Sequence, residues 1–155
     1  MAVNTSGSIL NNAFGQPLEI GSTAAGAITV DGGTVLEFNA GVTGENLFTR
    51  VGVGGTGTLN VDGTGTIVRY IGNGASDIGF QIGRTAQGNS AITNGASVEL
   101  IDAGVGTTQF TGFSIARNAG STGNMTIDAS SLSSSGYAVY SNVGRDSATG
   151  TMTLQ

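Results

Sequence analysis

The feature that most constrains this chain is a dipeptide that keeps returning. A β-branched residue followed by a small one stands at Ile20-Gly21, Val51-Gly52, Ile82-Gly83, Ile115-Ala116 and Val143-Gly144, in steps of 31, 31, 33 and 28 residues. Five recurrences at near-constant spacing are the mark of a repeat architecture, in which each unit buries its apolar face against the next. The surrounding residues recur as well. An aromatic residue precedes four of the five dipeptides (Phe48, Phe80, Phe113, Tyr140), and a Gly-rich stretch and a short alternating run follow each. The runs Ile28-Thr29-Val30, Leu59-Asn60-Val61 and Met125-Thr126-Ile127 each end in an aspartate: Asp31, Asp62 and Asp128. A fourth run, Met152-Thr153-Leu154, closes the chain, and a second alternating run follows the turn at Val35–Phe38, Thr66–Ile71 and Ser97–Ile101.

Each repeat thus reads as about three short strands separated by Gly, Asn, Asp and Ser turns. Apolar spacing of two and abundant glycine argue against helix. A sandwich needs no fixed long period, whereas one full coil of about 31 residues does, with equivalent residues stacked ~4.8 Å apart. The expected fold is therefore an all-β solenoid (β-helix) of roughly four coils: 20–50, 51–81, 82–114, 115–142 and a partial 143–155. Residues 1–19, with Phe14, Pro17 and Leu18, do not fit the full repeat and are expected to form an N-terminal cap or lead-in. Nothing resembling a cap follows the last run, so we expect either a continuation of the chain or another copy to cover that end. In the middle repeat, aligning Asn94-Gly95 with Asp62-Gly63 puts Thr93 where Val or Ile belongs. A one-residue slip or a bulge near Ile92 would repair the register.

Stacking sets equivalent residues in columns. Ile20, Val51, Ile82, Ile115 and Val143 should line the interior in single file. Phe48, Phe80, Phe113 and Tyr140 should stack as an interior aromatic column, the alternative being a sugar-stacking platform. Asp31, Asp62, Asn94 and Asp128 mark one corner. Stacked carboxylates there are candidate Ca²⁺ ligands, although Asx residues also suit turns for their own backbone hydrogen bonds. Arg84, Arg117 and Arg145 follow the dipeptide in three repeats, where guanidinium groups could read the carboxylates or sulfates of sugars, or simply pair with acids such as Asp146. Thr29, Thr126 and Thr153 should point outward, in a ladder broken by Asn60.

Composition removes whole classes of function. The chain has no His and no Cys, so the commonest general base, the commonest zinc ligand, thiolate metal sites and disulfides are all absent. Its five basic residues are all Arg, and ten acids give a net charge of −5. That is no footprint for nucleic acid or for an anionic membrane surface. No apolar run approaches the ~18 residues of a membrane span, and Met1–Leu10 lacks the basic and apolar regions of a signal peptide. Catalysis on a solenoid requires a cluster that breaks the repeat, and no such exception is visible. We expect no enzyme and no cofactor other than the Ca²⁺ considered above.

The strings VGVGGTGTLNVDG (51–63), IGRTAQGNSAITNGASVEL (82–100) and VGRDSATGTMTL (143–154) resemble repeats of large bacterial surface proteins. These are the autotransporter-type and PEP-CTERM-associated β-strand repeats, and the repeat adhesins exported without an N-terminal signal. The resemblance spans about residues 20–155. It implies a right-handed coil, export, and a structural or adhesive role at the cell surface or in an extracellular matrix. The Gly-Gly-x-Gly-x-Asp repeat of calcium-binding toxins does not occur. Two other functions suit the same repeats: a self-assembling extracellular filament subunit stacked end to end, and a solenoid that binds or degrades polysaccharide, with surface glycans as partners.

Overall fold

The computed structural model describes residues 9–11, 17–40, 46–104, 110–136 and 138–155; Phe14 of the expected lead-in lies outside them. Among the described residues fifteen strands follow one another, three to a coil. β1 (Ile9–Asn11), β2 (Leu18–Ile20) and β3 (Gly26–Val30) come first, followed by β4 (Val35–Asn39), β5 (Leu47–Val51) and β6 (Gly57–Asp62). The next coil holds β7 (Ile67–Gly72), β8 (Ile78–Ile82) and β9 (Gln87–Thr93). Then come β10 (Ser97–Asp102), β11 (Phe110–Ile115) and β12 (Thr122–Asp128), and finally β13 (Ser131–Ser135), β14 (Ala138–Val143) and β15 (Thr149–Leu154). Every third strand pairs in parallel, giving three five-stranded walls: sheet A (β1-β4-β7-β10-β13), sheet B (β2-β5-β8-β11-β14) and sheet C (β3-β6-β9-β12-β15). The chain is a β-solenoid. Strands from both ends of the expected lead-in, β1 and β2, already belong to sheets A and B.

The interior file predicted from the dipeptide is present in register: Ile20 pairs with Val51, Val51 with Ile82, Ile82 with Ile115, and Ile115 with Val143. The first four are buried, whereas Val143, in the edge strand, is 47% exposed. Val30, Val61, Ile92 and Ile127 form a second buried file on sheet C, and Leu36, Val68 and Val98 a third on sheet A. Three walls that each present apolar files inward enclose a single core.

Turn geometry explains the small residue of the dipeptide. Gly21, Gly52, Gly83, Ala116 and Gly144 all have φ between 60° and 75°, where the chain leaves sheet B for sheet C. An L-residue pays a steric penalty there, with Cβ close to the following carbonyl oxygen. At Gly83 a Cβ would also lie 2.2 Å from the Thr122 carbonyl oxygen of the next coil. The glycine file that opens sheet C, Gly26-Gly57-Gly88-Gly123-Gly150, answers the same crowding: a Cβ on Gly88 would sit 2.1 Å from the Gly83 nitrogen.

Two expected columns differ in the structure. Phe48, Phe80, Phe113 and Tyr140 are not one file. Phe80 pairs with Phe113 on the inner side of sheet B, while Phe48 pairs with Gly79, Gly79 with Gly112 and Gly112 with Tyr140. The reason is the two-residue period of a strand. Phe80 and Phe113 stand two places before the dipeptide and share its inward face, whereas Phe48 and Tyr140 stand three before it and face outward. The interior gains other rings instead: Phe38 stacks on Tyr70 at 4.9 Å, and the buried Tyr70 hydroxyl donates to Thr49 Oγ1 at 2.5 Å. At the Asx corner, Thr93 pairs with both Asp62 and Asp128, so no bulge occurs near Ile92 and Asn94 falls one place beyond the aspartates. Asn94 takes up the turn instead, at φ 58°.

Two measurements check this packing. Ile82→Ala should cost about 2–5 kcal/mol in denaturant unfolding, as expected for a truncated core side chain. Gly83→Ala should destabilise by a similar amount, about 2–5 kcal/mol, combining left-handed strain with overpacking, while Ala116→Gly should be neutral or gain up to ~1 kcal/mol. Equal effects of the two turn substitutions would contradict this account of the corner.

Candidate functional site: an arginine and aromatic corner

The turn after sheet B stacks Arg84, Arg117 and Arg145 one above another. The Arg117 N–H donates to the Gly83 carbonyl at 3.0 Å and the Arg145 N–H to the Ala116 carbonyl at 2.9 Å, continuing the sheet B register by two residues. The Arg84 N–H donates to the Gly52 carbonyl at 3.1 Å, which places Arg84 over Val53. Three guanidinium groups thus rise from successive coils, ~4.8 Å apart at the backbone.

Outward-facing residues of sheet B complete the corner. Phe110 pairs with Ala138, two residues before Tyr140, and the two rings meet edge to face at 5.8 Å and 87°. Phe110, Tyr140, Arg117 and Arg145 together line a cleft of about 140 Å³. Phe110 is 55% exposed, a large apolar surface in water. Two coils below, Phe48 lies over Gly79, and the Arg50 guanidinium sits 5.1 Å from the Phe48 ring centre. Gln81, between Arg50 and Ser114 in the outward row of sheet B, is fully buried, and its amide has no hydrogen-bond partner among the described residues.

Charge is distributed unevenly over the coil. On sheet A, Glu37, Arg69 and Glu99 stand in register, and Arg69 reaches Glu99 at 2.6 Å and Glu37 at 3.8 Å. The hydrogen bond to Glu99 holds the Arg69 guanidinium above its ordinary pKa. Arg50 pairs with Glu19 at 3.2 Å. The arginine file is different. Arg145 contacts Asp146 at 3.2 Å with both side chains more than half exposed, and Arg84 and Arg117 have no ion-pair partner among the described residues. Burial first, then the neighbouring Arg50 and Arg117 charges, pull the Arg84 guanidinium below its ordinary pKa. Like charges stacked in register repel, an effect opposed at Arg84 by the Glu19 carboxylate.

The Asx corner is a turn network. Asp62 Oδ1 accepts from Thr93 Oγ1 and from Asn94 Nδ2, both at 2.6 Å, and these bonds hold its carboxyl below the ordinary value of 3.8. Thr93 separates Asp62 from Asp128, so these carboxylates are two coils apart. Among the described residues no three His, Cys, Asp or Glu side chains come together as a metal cage. Thr29, Asn60, Ala91, Thr126 and Thr153 form one row of sheet C, which places the threonines in the broken ladder expected of them.

Of the residues singled out in the sequence, the structure brings Arg117, Arg145 and Tyr140 into one cleft and leaves Phe80 and Phe113 inside. Phe110 was missed. The signal was its odd spacing of three from Phe113, which puts the two rings on opposite faces of β11.

Because the folded Asp62 carboxyl is the stronger acid, its contribution to stability is complete above the unfolded value of 3.8 and disappears as pH falls through the lower folded value. Thr93→Val should therefore reduce the loss of stability in that acid range without changing the slope above pH 5. Denaturant titrations of both proteins across the acid range test this. An unaltered acid slope in Thr93→Val would remove the corner bond from the account.

No protein-family model, curated protein or solved structure matches the chain, so its function has to be read from this geometry.

Proposed function

We propose that the chain is a structural and adhesive β-solenoid segment of an exported bacterial surface or extracellular protein, and not an enzyme. One observation supports this: among the described residues three parallel ladders run through five strands each, the regular stacking that a mechanical scaffold requires. Such a stack resists extension because neighbouring coils are held by backbone hydrogen bonds along three strands each. The composition supports life outside the cell, with no thiol to oxidise and few charges. The likeness to surface-protein repeats points the same way.

Location is the decisive test. Antibody against the chain should label intact producing cells, and external protease should remove the label. A signal that appears only after lysis would overturn the proposal.

A second, compatible reading is a filament subunit whose copies stack end to end. Val143 and Leu154 continue two buried interior files yet are 47% and 70% exposed, and β13, β14 and β15 are all edge strands. A heterologous contact of this kind does not close, and gives filaments. Sedimentation of the purified chain should show concentration-dependent growth that Val143→Glu with Leu154→Glu abolishes. A strictly monomeric wild type at high concentration would exclude assembly from copies.

A further inference from the structure

Beyond this mechanical role, we infer that the cleft between Phe110, Tyr140, Arg117 and Arg145 binds acidic polysaccharide, taking the carboxylate of a uronic-acid residue on the arginines and the sugar ring on the aromatics. Three observations lead there, none of which depends on where the protein resides.

The first is the missing counter-charge. The chain has ten acidic residues for five arginines, and on sheet A it places one arginine between two glutamates in register. At the Arg84-Arg117-Arg145 corner no described carboxylate lies within the stack, although acids outnumber bases two to one. Among the described residues only Asp146 contacts it, at the rim beside Arg145, while Glu19, already paired with Arg50, attracts Arg84 from farther away. An ion pair that exposed contributes little, so a ligand carboxylate can take its place.

The second is the pairing of charge with apolar surface. A guanidinium group offers a planar fork that fits a carboxylate in bidentate fashion. Phe110 and Tyr140, set edge to face, leave ring surface open to the cleft, and Phe110 is more than half exposed. A pyranose presents both things such a cleft requires: an apolar C–H face and, in a uronic acid, an equatorial carboxylate. Free inorganic anions offer no surface to the rings.

The third is the repeat. Arg84 continues the file one coil below the cleft, so guanidinium groups recur at the coil spacing, a rise comparable to the length of one sugar residue. A polymer with one carboxylate per residue can meet successive arginines. The net charge of −5 opposes long polyanions of either kind, and nucleic acid, whose bases would also stack on the rings but which depends on neutralising many phosphates, is affected more than a short uronate held by one pair of arginines.

Calorimetric titration with a short oligogalacturonate, a neutral galactan oligosaccharide and an oligothymidylate tests the assignment. We expect the oligogalacturonate to bind, weakening with added salt, and the neutral sugar not to. Arg117→Gln with Arg145→Gln should lower affinity about tenfold or more, and Phe110→Ala several-fold. Circular dichroism and thermal unfolding check the fold, and the arginine variant should be no less stable, since it relieves repulsion. Asp146→Asn guards against a variant that fails to fold: it keeps a residue that tolerates the φ of 51° and removes the competing carboxylate, so affinity should rise. The inference is overturned by any of three results. These are absence of oligogalacturonate binding, unchanged affinity in both the arginine and Asp146 variants, or tighter binding of oligothymidylate.

Discussion

Parallel backbone pairing between one coil and the next is the constraint from which the rest follows. A parallel ladder joins residue to equivalent residue, so whatever side chain a position carries meets its counterpart from the coils above and below. Like therefore stacks on like. Isoleucine on valine gains a continuous interior, and glycine on glycine allows strand and turn to crowd at a corner. Arginine on arginine has no such benefit. The same rule that builds the core makes a charged file a liability unless something neutralises it.

The coil meets this rule in two ways. Along sheet A the signs alternate between coils, and Arg69 binds a glutamate on either side. At the corner after sheet B they do not, and aromatic side chains gather beside the uncompensated charge. An evenly repeating scaffold thus carries one uneven patch, on the outer surface, where it leaves the interior ladders intact. A rod built this way can carry recognition without weakening its own core, because outward residues in a strand are independent of inward ones.

Irregular spacing between repeats is absorbed at the turns. The steps of 31, 31, 33 and 28 residues leave the strand registers unshifted through all three sheets. Thr93 shows how tolerant the corner is. It occupies the place of an aspartate and keeps the network closed by donating to Asp62, with Asn94 adding a second bond. A hydroxyl and an amide of the following residue thus supply what an in-register carboxylate would have repelled.

The period, the three strands per coil and the file from Ile20 to Val143 were all legible in the amino-acid sequence, because each rests on local chemistry: turn residues, alternation, and a small residue where φ must be positive. The faces of the aromatics were legible in principle, since a spacing of two or three from the dipeptide settles them, but grouping them by kind concealed it. Only the tertiary structure decided which charges are compensated. Whether Arg69 finds Glu37 and Glu99 while Arg117 finds no acid among the described residues depends on which residues lie side by side in neighbouring coils, some thirty positions apart in the chain. The cleft is of the same kind. Phe110, Arg117, Tyr140 and Arg145 come from two coils and meet only because the turn at Ala116 and the register of β11 on β14 bring them to one corner. Sequence specifies the repeat through local conformation, and stacking determines what the repeat presents.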